Sequence, residues 1–130
     1  MLTLFVLKSG KEYADAALTL ASFGNGLVSE TVKPPALVDI HAYLAFGITT
    51  PWYCVMHDNE QLDIMLQRSL LIFLTYTDAD VLICYKKERE FNSTRAPRFF
   101  KKHVKIRADC LLPQDEGSVK FDTILNGWIV

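Results

Sequence analysis

The sequence has almost no net charge. Fourteen lysines and arginines face fifteen aspartates and glutamates, leaving −1 over 130 residues. Such a balance gives no global pull toward nucleic acid or an anionic bilayer, and no nucleic-acid partner is expected. Cysteine is scarce: Cys54, Cys84 and Cys110 are odd in number and lack metal-ligand spacing. That argues against a disulfide framework or a structural zinc site. They read as small buried hydrophobes in a reducing compartment. Long apolar runs are also missing. The run Leu70, Leu71, Ile72, Phe73, Leu74 is far too short to span a bilayer. Residues 1–7 are apolar but lack a basic lead and run into Lys8, so no secretory signal is read there. A cytoplasmic protein without a membrane span is the expectation. There is no P-loop, no dinucleotide fingerprint, and no elbow motif around any serine or cysteine.

Half of the residues are hydrophobic, enough for one core, and the length suits a single domain over residues 1–130. Residues 2–7 form an apolar run that reads as a buried strand, closed by Lys8, Ser9 and Gly10. Residues 12–23 carry Tyr13, Ala16, Ala17, Leu20 and Ala21 at helical spacing, with Gly24 and Gly26 at the stop. Residues 27–32 read as a second, more polar strand. Pro34 and Pro35 then open a helix with the stripe Leu37, Ile40, Leu44, Ile48, on which His41 reads as a solvated residue. A third strand at residues 52–56 follows. Asp63 is the expected N-cap of an amphipathic helix reaching Tyr76, and residues 81–85 form a fourth strand. Strand and helix thus alternate three times before a last strand. That order predicts an α/β fold: three layers, α/β/α, around a mostly parallel sheet.

Beyond Lys86 the alternation stops. Residues 88–95 read as a charged, mobile loop, and residues 99–107 as a pair of short strands with basic residues on one face. Those basic residues suit either a solvated strand face or phosphate groups. Residues 119–130 place Phe121, Ile124, Leu125, Trp128 and Ile129 near helical spacing, which predicts a terminal helix.

The segment with the clearest chemical content is PWYCVMHDNE, residues 51–60. A strand buried on both faces ends here in His57, Asp58, Asn59 and Glu60. In open α/β sheets, ligands sit just outside the carboxyl ends of strands. Two positions apart on extended backbone, Asp58 and Glu60 would point the same way and could share a hard cation such as Mg²⁺ or Mn²⁺. The same residues also suit an acidic loop that starts the next helix. His57 could add a ligand or a supporting contact, or turn to the other face.

Residues 51–87 resemble the central part of glycosyltransferases of the GT-A fold, above all the inverting family 2. The pieces that carry the resemblance are WYCVMHDNE, QLD, IMLQRSLLIFLTYT, DAD and VLICYKK. The later APRFF, VKI and KFDTI are similar to that family's strands after the acidic motif. The resemblance implies a nucleotide-diphospho-sugar donor, an acceptor of unknown identity, and Mn²⁺ or Mg²⁺ held by Asp58 and Glu60. It implies that Lys8, Ser9 and Gly10 lie at the donor-nucleotide loop, with Glu30 and Asp39 also on the nucleotide side. It implies Asp122, in KFDT, as the general base toward an acceptor hydroxyl.

The sequence departs from the pattern in several places. Glu60 stands where the family has aspartate, LVSETVK lacks the acidic pair at its end, and LVDIHAYLAFG lacks the usual arginine. The chain is short for the fold, which leaves a minimal enzyme, a homo-oligomer or partnered subunit, or a non-catalytic binding module of the same fold. A phosphoacceptor signalling domain also ends a central strand in aspartate, but it needs acids where Lys8, Ser9 and Gly10 stand.

Overall fold

A computed structural model describes residues 1–10, 16–89 and 92–130. Its six strands are β1 (Leu2–Leu7), β2 (Val28–Val32), β3 (Trp52–His57), β4 (Val81–Arg89), β5 (Asn92–Lys101) and β6 (Phe121–Thr123). They form one sheet in the order β2-β1-β3-β5-β4-β6. Its helices are α1 (Ala16–Ala21), α2 (Ile40–Phe46) and α3 (Ile64–Tyr76). The pairs β1–β2, β1–β3 and β4–β6 are parallel, and β5 alone runs against its neighbours β3 and β4. The expected α/β class and mostly parallel sheet are therefore present.

Period-two alternation explains why β1 and β3 are buried on both sides. Leu2, Leu4 and Val6 of β1, with Trp52, Cys54 and Met56 of β3, face a core shared with α1 and α3. Phe5 and Leu7, with Tyr53 and Val55, face a second core under α2 and residues 104–119. Tyr53 closes that second core, stacking on Phe100 and donating its hydroxyl to the Val104 carbonyl. β2 lies at the sheet edge, and its middle residues are exposed, as its polar sequence requires. Burial pushes the Cys54 thiol up and the Cys84 thiol up to about 12. Both stay protonated near neutral pH and pack as apolar groups.

Asp63 caps α3 as expected, its carboxylate accepting the Leu66 amide at 2.9 Å. Four expectations fail, the first being the pair of short strands at residues 99–107: β5 ends at Lys101, and beyond it Ile106 makes an isolated bridge to Pro113. Residues 88–95 are not a charged loop: β4 runs on to Arg89 and β5 begins at Asn92, so the described part is a hairpin. Glu90 and Phe91 lie outside the described residues, as do residues 11–15 of the expected first helix. Residues 92–95 are exposed without a break, so a paired segment with no buried face shows the charge density of a loop. His41 is not simply solvated, since its Nε2 lies 2.7 Å from the Ile106 carbonyl.

Nor do residues 119–130 form a helix. β6 pairs with β4, and Ile129 then bridges Leu62 on one side and Lys86 on the other. Sheet edges and backbone bridges supply the partners that a helix would have supplied internally. Gly127 fixes this path. Its φ is +96°, and a Cβ there would stand 2.2 Å from the Leu66 amide nitrogen. The close approach lets the terminal segment lie on the first turn of α3, where the Asp63 amide donates to the Trp128 carbonyl. Gly127→Ala should therefore lose about 2 kcal/mol or more. Gly26 has a similar φ of +85° but open space around it, so Gly26→Ala should cost only about 1 kcal/mol. Urea denaturation of both variants measures the difference.

Candidate functional site

The loops after β1 and β3 meet at the carboxyl edge of the sheet. β1 sends its chain to β2 on one side, while β3 lies on the other side of β1. This reversal of strand order is the kind of place where an open α/β sheet leaves a crevice for a ligand. Leu7 and His57 end their strands in register. The Asp58 amide donates to the Leu7 carbonyl at 2.9 Å, and the Ser9 amide donates to Asp58 Oδ1 at 2.9 Å. Asp58 thus stitches the two loops together. Lys8, Ser9 and Gly10 are exposed beside it.

Glu60 lies on the same turn, its amide donating to the His57 carbonyl. Thr19 of α1, fully buried, donates its hydroxyl to the Glu60 carbonyl at 2.7 Å and holds the turn against α1. The Glu60 carboxylate is 2% exposed and is surrounded by cations. Arg98 grips it with two parallel bonds, Nη1 to Oε1 at 2.6 Å and Nη2 to Oε2 at 2.9 Å. Lys86 Nζ lies 2.8 Å from Oε2. The His57 amide donates to Oε1 at 2.7 Å, with His57 Nδ1 at 3.1 Å from the same oxygen. Burial by itself would raise the Glu60 pKa. The bonds from His57, Arg98 and Lys86 outweigh it and hold the carboxyl well below the usual carboxylate range.

A β-bulge aims Arg98. Leu82 of β4 pairs with Phe99, but Ile83 pairs with Pro97, so Arg98 has no opposite residue. β3 pairs with β5 only as far as Cys54 opposite Phe99. Past that point the strands part, and the guanidinium fills the gap, also donating to the Val55 carbonyl at 3.2 Å. Arg98 is buried as deeply as its partner demands. Sequence spacing points to neither it nor Lys86. The available signal was an arginine between proline and two phenylalanines, because a charge inside an apolar run needs a buried partner.

Of the remaining predicted residues, Glu30 and Asp122 lie elsewhere. Glu30 is exposed on edge strand β2, opposite Thr3 near the start of β1 rather than at its carboxyl end. Asp39 accepts the Ala36 amide at 2.9 Å and serves its own helical turn. Asp122 sits on the far edge strand, in the row Cys54, Phe99, Leu82, Asp122. Three strand spacings across and four residues back, it is about 20 Å from Asp58. Its carboxylate accepts the Thr123 amide at 2.8 Å. The structure therefore joins Asp58 to the Lys8–Gly10 loop and puts Glu60 on the same turn, but that turn replaces the expected extended backbone, and the two carboxylates take partners on opposite sides of β3. Glu30 and Asp122 lie apart from them.

Whether the pair can hold a divalent metal depends on its free donor atoms. Both Glu60 oxygens are already held by charged donors, and one Asp58 oxygen is held by a backbone amide. A metal ion would have to displace Arg98 and Lys86 from a buried carboxylate. As they stand, these residues do not fit the ion.

Breaking a buried ion pair on one side leaves an uncompensated charge. Glu60→Gln and Arg98→Met should each cost about 3–5 kcal/mol at pH 7, while the double variant should recover much of that loss. Because the folded-state pKa of Glu60 is depressed, its contribution is complete above the unfolded value of about 4.3. It is lost as pH falls below that, at about 1.4 kcal/mol per pH unit from this one group. The penalty of Glu60→Gln should accordingly shrink between pH 5 and about pH 3 in urea titrations. No family model matches the chain, no curated protein matches it, and no solved structure matches it.

Proposed function

We propose that this chain is a GT-A-like binding module that takes a nucleoside diphosphate, free or bearing a sugar, at the β1–β3 crevice without catalysing transfer. The observation that carries this reading is the occupation of Glu60 by Arg98 and Lys86. Where the resemblance implies a metal ion between acid and diphosphate, the protein's own cations stand at the acid. Glu60, Arg98 and Lys86 together carry one net positive charge, and Lys8 offsets Asp58. Lys86 is partly exposed, and Lys8 lies on the neighbouring loop. An anionic diphosphate needs such a local positive balance rather than a basic protein overall. The distance of Asp122 from this crevice fits binding better than transfer, since a general base must reach the proton it removes.

A second reading, metal-dependent sugar transfer from a nucleotide-diphospho-sugar, is favoured by one observation. Asp58 and Glu60 lie on one turn at the end of β3, and Asp58 bonds to the β1 loop. On that reading Asp58 and Glu60 would hold Mn²⁺ or Mg²⁺ once Arg98 and Lys86 gave up the Glu60 carboxylate, and the ion would supply Lewis-acid stabilisation of a departing diphosphate.

Thermal denaturation with a panel of nucleoside diphosphates separates the two. Binding to the folded state raises the melting temperature by linkage. The module reading expects a rise that persists in EDTA and is lost in Lys8→Ala. The transfer reading expects a rise only with Mn²⁺ or Mg²⁺, together with donor turnover. No rise under either condition removes both.

A further inference from the structure

A groove of about 480 Å³ opens between α3 and the loop that joins α1 to β2. It lies at the amino end of the sheet, since Leu27 immediately precedes β2 and Val28 pairs with Leu2 at the start of β1. The crevice at the carboxyl ends of β1 and β3 is at the opposite edge. Phe23 and Leu27, 2% and 8% exposed, are the apolar floor of the groove, and Leu71, 55% exposed, is an apolar wall. Asn25, Gln67 and Arg68 supply its polar groups. Gly24 shapes the rim. Its φ is +76°, and a Cβ there would stand 2.6 Å from Gln67 Nε2, so the bare glycine lets that amide close on the loop. No acidic residue lines the groove. Arg68 is the single charged residue of α3, is exposed, and forms no ion pair among the described residues.

We infer that this groove binds a free amphipathic carboxylate. The apolar chain of the ligand lies along Phe23, Leu27 and Leu71, and its carboxylate takes the Arg68 guanidinium. Three observations select that ligand. The first is size, since small-molecule sites span about 300–1,000 Å³. The second is the lining, an apolar body with a few polar groups, which is the composition of such a site. The third is charge. A guanidinium with no acid beside it lacks the partner that its planar fork pairs with best, a carboxylate held by two parallel bonds. One cation matches one monoanion. A phosphate monoester would bring a charge of about −1.5 to −2, more than Arg68 neutralises. An uncharged chain would cover Arg68 and give it no partner. An anionic bilayer is selected by clusters of lysine and arginine, and this helix has one cation.

Isothermal titration calorimetry with decanoate, decanol and acetate tests the inference. Decanoate is expected to bind with a dissociation constant of about 0.1 mM or tighter. Decanol, with the chain but no charge, should bind about tenfold or more weakly, and acetate, with the charge but no chain, should give no binding heat. Arg68→Gln should weaken decanoate to the level of decanol. Arg107→Gln, the same change at an exposed arginine outside the groove, should leave decanoate binding unchanged. Leu71→Gln should weaken decanoate and decanol alike. Circular dichroism establishes that each variant is folded; should Arg68→Gln fail there, Leu71→Gln decides. Decanol bound as tightly as decanoate, decanoate binding that survives these substitutions, or no binding at all overturns the inference. Flotation with vesicles of phosphatidylcholine and phosphatidylglycerol, by a chain that ignores free decanoate, overturns it in favour of a membrane.

Discussion

The fold's carboxyl edge depends on one interaction, the paired bonds between the Glu60 carboxylate and the Arg98 guanidinium. Neither group tolerates that degree of burial alone, since an isolated ion loses its hydration with nothing in return. Each therefore fixes the other. Glu60 sits on the turn after β3, Arg98 on the bulge of β5, and Lys86 on β4. One carboxylate ties three strands where β3 and β5 have ceased to pair. It also accounts for the bulge, because unbroken alternation would leave Arg98 opposite a β4 residue and aim it elsewhere.

The terminal segment completes the same edge from outside. Gln61 and Val130 exchange backbone bonds, and Ile129 bonds to the carbonyl of Tyr85. The residues just after Glu60 are thereby joined to the middle of β4, beside Lys86. Gly127 makes that path possible by letting backbone touch backbone at the first turn of α3. The charged cluster and the glycine turn are thus two parts of one closure, the first electrostatic and the second steric.

The consequence for function lies in where charge has been placed. Asp58 spends one oxygen on the β1 loop, which brings the two sides of the crevice together. Glu60 is neutralised by side chains on other strands. An acid pair that sequence spacing treats as equivalent is divided in the fold into a loop clasp and an ion-pair centre. The distinction matters because a carboxylate's chemistry is set by what already occupies its lone pairs.

By itself the sequence determined the elements with strong local signals. Continuous apolar runs gave β1 and β3, since a strand covered on both faces has no polar side to show. The Asp63 cap and the stripe behind it gave α3 to its last residue, and the alternation of strands and helices gave the sheet's mostly parallel character. Adjacency in sequence also placed Asp58 and Glu60 on one turn, though not with carboxylates side by side. Only the tertiary structure decided what those acids do, because Arg98 is 38 residues from Glu60 and its aim depends on a bulge with no local signature. The same holds for the terminal segment. Its helical spacing was real, but Ile129 found backbone partners on Leu62 and Lys86, and long-range pairing overrode a weak local preference.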